Sequence, residues 1–146
     1  MFLGGDTISK PCKDNNLRFK ADICIVVMSH NEYIVDGTTA EVAKKATPKK
    51  LFTDKLKSVL GTKCHLNNFL QTIPFIPAKE IKNVVFPIVQ IMGFNVHVYT
   101  LRLANRGVYI LQDETSFSFP TSYTSLKLGL EKVIDGLSGI EVSSNH

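Results

Sequence analysis

The order of apolar and polar positions divides the chain into elements. Ile23-Cys24-Ile25-Val26-Val27-Met28 is an unbroken apolar run rich in β-branched side chains, the pattern of a strand covered on both faces. Ser29-His30-Asn31-Glu32 breaks it. Tyr33-Ile34-Val35 begins a second strand, in which Asp36-Gly37 signals a turn or bulge before residues 38–42 resume extended structure. Thr47-Pro48 predicts a helix start, the threonine as cap and the proline at the first helical position. Phe52, Leu56, Val59 and Leu60 recur at i, i+4, i+7 and i+8 as one apolar stripe, and Gly61 supplies an end. Lys49, Lys50 and Lys57 fall largely off that stripe, on what this reading makes the outer face. Residues 61–77, which include Pro74 and Pro77, read as a long loop.

Residues 78–83 suit a short helix. Residues 84–92 carry an apolar run interrupted by Pro87, which fits a strand if the proline stands at an unpaired or bulged position. Gly93 then turns the chain into residues 94–103, where Phe94, Val96 and Val98 share one face and Asn95, His97 and Tyr99 the other. Ala104-Asn105-Arg106-Gly107 makes a hairpin turn and Val108-Tyr109-Ile110-Leu111 returns. A polar connection, Gln112-Asp113-Glu114-Thr115, leads into the alternation Ser116-Phe117-Ser118-Phe119, which Pro120 stops. Thr121 or Ser122 caps a final helix with Leu126, Leu130, Val133, Ile134 and Leu137 on one face, ending near Gly139. The expected architecture is α+β. A central mixed or antiparallel sheet ends in a β-meander, with one lysine-rich helix after the second strand and an amphipathic helix at the C-terminus. Residues 1–20 lack a hydrophobic period and read as a flexible arm, residues 21–140 as a single domain and residues 141–146 as a polar tail.

Composition adds limits. A length of 146 residues suits one domain, and 44% hydrophobic with 21% charged residues is a globular mixture rather than a disordered one. No apolar run approaches the ~20 residues that span a bilayer, so no membrane partner is expected. Met1-Phe2-Leu3-Gly4-Gly5-Asp6 lacks the basic and apolar regions of a secretory signal. Cys12, Cys24 and Cys64 form no Cys-x-x-Cys pair and no disulfide framework, and point to an intracellular, cytoplasmic or nuclear chain with Cys24 as a small core residue. Charge changes the picture more. Residues 44–63 hold seven lysines against Asp54 alone, a segment of +6 in a chain of net +4. Lys45, Lys49, Lys50 and Lys57 are the candidates for contacting the phosphates of DNA or RNA; the alternative is a helix face kept polar for solubility.

No phosphate-binding glycine loop, His-Glu-x-x-His or Gly-x-Ser-x-Gly occurs. Cys64 and His65 are adjacent and His30 and His97 distant; the spacings do not suit a structural zinc site, and a Cys–His nucleophile would have to assemble in space. A more specific set is Asp22 at the mouth of the first strand and Glu41 near the end of the second, followed by Lys44 and Lys45. Two carboxylates can hold Mg²⁺ through oxygen ligands while a lysine positions water or stabilises developing phosphate charge.

Ala21-Asp22 before the apolar strand and Ala40-Glu41-Val42-Ala43-Lys44 on the next resemble the motif of the restriction-endonuclease-like, or PD-(D/E)XK, superfamily. The order that follows, a helix and then a strand near 84–92, is similar too, and residues 107–120 are similar to fungal proteins that carry this fold. The resemblance covers about residues 20–120. It implies Asp22, Glu41 and Lys44 as catalytic residues, Asp22 and Glu41 as ligands of Mg²⁺ if a cofactor is used at all, and nucleic acid as partner. The family spaces its acid and lysine as Glu-x-Lys. Glu41-x-x-Lys44 sends the lysine to the opposite face of a regular strand unless a bulge at Val42-Ala43 restores it. The family's first helix, which often brings another acid, would have to come from residues 1–20. The expected function is a nuclease-like, Mg²⁺-dependent phosphodiesterase-type domain, active or degenerate. The alternative is a non-enzymatic interaction or structural module that uses Asn95, His97 and Tyr99; a missing first helix would also fit a fragment of a longer protein.

Overall fold

A computed structural model describes residues 2–28, 34–45, 47–73 and 75–143. The described elements are, in order, β1 (Phe2–Thr7), α1 (Lys10–Asp14), β2 (Ala21–Met28), β3 (Ile34–Ala43), α2 (Pro48–Thr72), α3 (Ala78–Ile81), β4 (Val85–Met92), β5 (Asn95–Asn105), β6 (Val108–Ser118) and α4 (Tyr123–Ser143). The strands form one mixed sheet whose spatial order is their sequence order. Every neighbouring pair is antiparallel except β3 and β4, which run parallel and are joined through α2, as a parallel pair requires a crossover. The expected α+β architecture is therefore observed, with its meander in β4, β5 and β6.

The two long helices cover opposite faces. Ile88, Tyr99 and Leu101 pack with Val59 of α2, whereas Ala40, Val89, Val96 and Val98 pack with Phe117 and Phe119 on the side of α4. The alternation Ile88/Val89 and Val98/Tyr99 is what separates the two clusters. Several local signals act as expected. Thr47 Oγ1 accepts the amide of Lys50 at 3.2 Å, and Ser122 Oγ accepts that of Ser125 at 3.2 Å. Gly93 (φ 63°) and Gly107 (φ 72°) make the two meander turns. The register of β2 against β3 slips at Gly37, where Thr38 pairs with Ile25 and Asp36 with Val26. Pro87 pairs with Thr100 of β5 but precedes the parallel ladder with β3, which begins at Ile88↔Thr39.

Other expectations are corrected. Residues 1–20, read as a flexible arm, supply β1, which pairs with β2, and α1, which packs on α2. The helix that Gly61 was to end runs on to Thr72, because its second half has burial to gain: Leu66 is fully covered and Phe69 meets the Phe86 ring edge-on at 5.5 Å. Residues 112–115 are no connection but part of an 11-residue β6. Their polar side chains are tolerated because β6 is an edge strand, and Glu114 occupies a register shift where it accepts the hydroxyl of the buried Thr100 at 2.6 Å. The helix α4 passes Gly139 and runs to Ser143. Residues 29–33, including the polar break and His30, lie outside the described residues, as does the side chain of Leu137.

Both helices also present different faces from those their apolar stripes suggest. Phe52 is 69% exposed and Leu56 half-exposed, while α2 buries Asp54, Ser58, Thr62 and His65. In α4 it is Leu126, Leu130 and Ile134 that face outward. That helix seats Val133 in the core, sets Gly129 against Pro120 and lays Gly136 on the Phe117 ring. The glycines allow a close approach that larger side chains would prevent. Among the described residues no helix is long and apolar enough to cross a membrane.

A Cβ at position 136 would stand inside contact distance of the Phe117 ring. Gly136→Val is therefore expected to overpack this contact at a cost of about 1–3 kcal/mol, lowering the thermal midpoint by roughly 3–12 °C. Phe52→Ser, on the exposed side of α2, should stay within about 2 °C of the parent in the same thermal scan.

Candidate active site

The site is built where β2, β3 and α2 meet. Antiparallel pairing of Ile23 with Ala40 and Cys24 with Thr39 brings Asp22 beside Glu41, and strand alternation places both on the face that α2 covers. Asp22 Oδ2 accepts the backbone amide of Val42 at 2.7 Å, which fixes that carboxylate against β3. Glu41 is only 3% exposed. Its Oε2 accepts from Lys57 Nζ at 2.7 Å, and the lysine side chain keeps 24% exposure.

A layer of polar contacts surrounds this pair between sheet and helix. Lys50 Nζ meets Asp54 Oδ2 at 2.8 Å one helical turn away. Gln90, which pairs with Glu41 in the parallel register, donates to the carbonyl of Leu51 at 3.2 Å. Thr39 and Thr62 share a hydroxyl hydrogen bond of 3.0 Å. Each contact answers the requirement that a buried polar group find a partner.

The charges interact as one cluster. Burial pushes the Glu41 pKa above the ordinary glutamate range; the hydrogen bond and charge of Lys57 oppose this, and Asp22 and Asp54 push it further up. Lys50 is held above its usual value chiefly by its hydrogen bond to Asp54, against the opposing effect of burial, with the charges of Asp54, Glu41 and Asp22 adding to the rise.

A cavity of about 570 Å³ opens beside the pair, between α1, β2, β3 and α2. Glu41, Lys57 and Ser58 line one side of it, and Asp14 of α1 another. Ser9 Oγ caps α1 by accepting the amide of Cys12 at 3.4 Å, and shares a hydrogen bond of 2.7 Å with His65 Nε2. Cys12 Sγ lies 4.0 Å from the same nitrogen. Cys12, Cys24 and Cys64 are all buried and none is in a disulfide. Burial is the main reason the Cys64 thiol is pushed up in pKa, with Cys12 adding to it, so this thiol is a poor nucleophile.

Of the residues singled out from the sequence, Asp22 and Glu41 come together and Lys44 does not join them. The bulge that Glu41-x-x-Lys44 would need is absent: Glu41↔Gln90, Val42↔Ile91 and Ala43↔Met92 run in unbroken register. β3 ends at Ala43 and leaves Lys44 exposed beyond it. Lys57, assigned to an outer phosphate-binding face, takes the place beside Glu41 instead. The lysine segment is also less available than its charge suggests. Lys50 is paired with Asp54, and Lys55 lies 3.8 Å above the Tyr99 ring and 3.6 Å from Asp113. Lys63 sits 4.8 Å from the Tyr109 ring, which leaves Lys44, Lys45 and Lys49 as the other exposed members. Tyr99 is buried under α2 rather than displayed on an outer face; His97 stacks on it, and Asn95 accepts from Ser118 Oγ at 2.7 Å.

Lys57 was missed because the apolar stripe of α2 fixed the expected roll of the helix. The competing signal was a polar stripe, Asp54, Ser58, Thr62 and His65, at equally helical spacing. Among the described residues no three His, Cys, Asp or Glu side chains converge as a ligand set. Two neighbouring carboxylates still fit Mg²⁺, which usually takes one or two protein carboxylates and fills its remaining positions with water and phosphate oxygens. No protein-family model, curated protein or solved structure matches the chain.

Lys57→Met would leave the Glu41 carboxylate buried without its cation. A carboxyl group whose folded pKa is raised binds more protons folded than unfolded, so its contribution to stability falls as pH rises above about 4.5, the ordinary glutamate value. Losing Lys57 raises the folded pKa further and widens that window. In urea unfolding, Lys57→Met is expected to cost about 2 kcal/mol or more at pH 8, below the ~3–5 kcal/mol of a fully buried pair. The cost should be smaller at pH 5, and adding Glu41→Gln should recover most of it.

Proposed function

We propose that the chain is a nuclease-type domain that hydrolyses phosphodiesters with a divalent cation, using Asp22, Glu41 and Lys57. The observation that carries this reading is a buried glutamate that a lysine from the crossover helix reaches at 2.7 Å, with a second carboxylate on the adjacent strand and a cavity beside it. Asp22 and Glu41 would hold Mg²⁺, which supplies Lewis-acid polarisation of the phosphate and a more acidic bound water. Asp22, with Oδ2 tied to the Val42 amide, would offer its other oxygen to the cation. The desolvated Glu41 needs a positive partner to be ionised, and Lys57 serves in the resting state. With Asp22 and Glu41 holding the cation, the Lys57 ammonium would be available to donate to a phosphate oxygen, in a setting where partial burial strengthens each charge interaction.

The arrangement of β2, β3, α2 and β4, with β3 parallel to β4, agrees with the order that the resemblance to the PD-(D/E)XK superfamily implies, and α1 supplies a helix in residues 1–20. Lys45 and Lys49 remain as exposed cations for the backbone of DNA or RNA. The buried thiols, none in a disulfide, suit an intracellular chain. A second reading, a non-enzymatic interaction module, rests on the outward stripe Leu126, Leu130 and Ile134 of α4 rather than on Asn95, His97 and Tyr99.

Mg²⁺-dependent nicking of supercoiled plasmid tests the proposal. Glu41→Gln and Lys57→Ala should each lower the rate by about 10²-fold or more, the scale of losing a group that stabilises developing charge. Lys44→Ala should remain within about threefold, and chelation should abolish cleavage. A parent protein that shows no Mg²⁺-dependent nicking overturns the reading.

A further inference from the structure

Glu41 is set back from the surface. It is almost wholly buried and lines the cavity bounded by α1, β2, β3 and α2, whose volume of about 570 Å³ is that of a small-ligand pocket. A continuous duplex carries its phosphates on the outside of a rod far wider than this cavity. A nucleotide at a strand end, or one swung out of its stack, can enter it.

The lining is chemically mixed. Besides Glu41 and Lys57 it includes the charged Lys10 and Asp14 of α1, neutral hydrogen-bonding groups in Ser58 and the Ser9–His65 pair, and the ring of Phe19. Ser58 is 2% exposed, and among the described residues its Oγ has no hydrogen-bond partner. A buried hydroxyl in that state is disfavoured until a polar atom reaches it. A pocket that combines the Glu41–Lys57 ion pair and the charges of Lys10 and Asp14 with neutral donors and acceptors and an aromatic ring matches a molecule that carries both an anionic and a heteroaromatic group.

We propose that the cavity is a nucleoside pocket: one nucleotide enters with its phosphate at Glu41 and Lys57 and its base against Phe19, within hydrogen-bonding reach of Ser58. The assignment rests on the phosphodiesterase reading of the Glu41–Lys57 pair. It makes the preferred substrate a single-stranded or extruded nucleotide rather than paired nucleic acid.

The test is titration calorimetry of the full chain with the nucleoside 5′-monophosphates, the free nucleosides and inorganic phosphate. A parallel Mg²⁺-dependent cleavage assay compares a single-stranded oligonucleotide with its duplex. At least one nucleoside monophosphate should bind about 10-fold more tightly than inorganic phosphate, and Ser58→Ala should weaken that binding about fivefold, as loss of one hydrogen bond does. Ser58→Ala removes a hydroxyl without a partner, so its thermal midpoint should not fall, which separates lost binding from lost folding. Single strands should be cut faster than duplex. Monophosphates that bind no better than phosphate, or equally well to Ser58→Ala, overturn the pocket; Glu41-dependent cleavage of duplex in that case would leave the hydrolase reading standing. Tight, Ser58-dependent nucleotide binding without any cleavage supports the pocket and overturns the hydrolase instead.

Discussion

The contact between Glu41 of β3 and Lys57 of α2 governs the arrangement around it. A carboxylate buried to this degree is unfavourable without a cation, so the crossover helix must present its lysine inward. That requirement sets the roll of α2. Once Lys57 reaches β3 from the edge of the buried face, the neighbouring stripe at helical spacing, Asp54, Ser58, Thr62 and His65, faces the sheet, and Phe52 and Leu56 are carried to the outside. A helix with an evident apolar stripe thus buries its polar one.

Such an interface draws little of its stability from the hydrophobic effect, which has to come from elsewhere. On the α2 side it comes from the far half of the helix, where Leu66 is fully covered and Phe69 meets Phe86, and from Val59 over Ile88, Tyr99 and Leu101. On the other face Ala40, Val89, Val96 and Val98 form an apolar cluster that α4 closes. The polar layer is thus held in place by apolar packing elsewhere on α2 and on the opposite face of the sheet.

Much of the architecture was legible because the signals were local. The Gly93 and Gly107 turns, the caps at Thr47 and Ser122 and the bulge at Gly37 follow from side chains acting on their own backbone. Asp22 and Glu41 were legible as neighbours for the same reason, since a hairpin register follows once its strands are known. What was not legible depended on partners far along the chain. Nothing in residues 1–20 shows a period, and β1 exists because β2 offers it an edge. Gly61 stops a helix only if the next residues lack something to bury, and here they have Phe86. Lys57 took the place expected of Lys44 because helix roll is a tertiary property, decided by what the sheet displays.

The sheet keeps its strands in sequence order, and this has a kinetic side. Each antiparallel pair joins segments close along the chain, so β1–β2–β3 and β4–β5–β6 are units of local contacts that can close quickly. The parallel β3–β4 ladder is the exception, with the 25-residue helix α2 between its strands. Its loop-closure entropy falls due before its contacts form. The seam between the two halves is therefore the last part of the sheet to assemble. Glu41 lies on that seam and Lys57 on the helix that spans it, so the candidate site comes into being only when the two halves join.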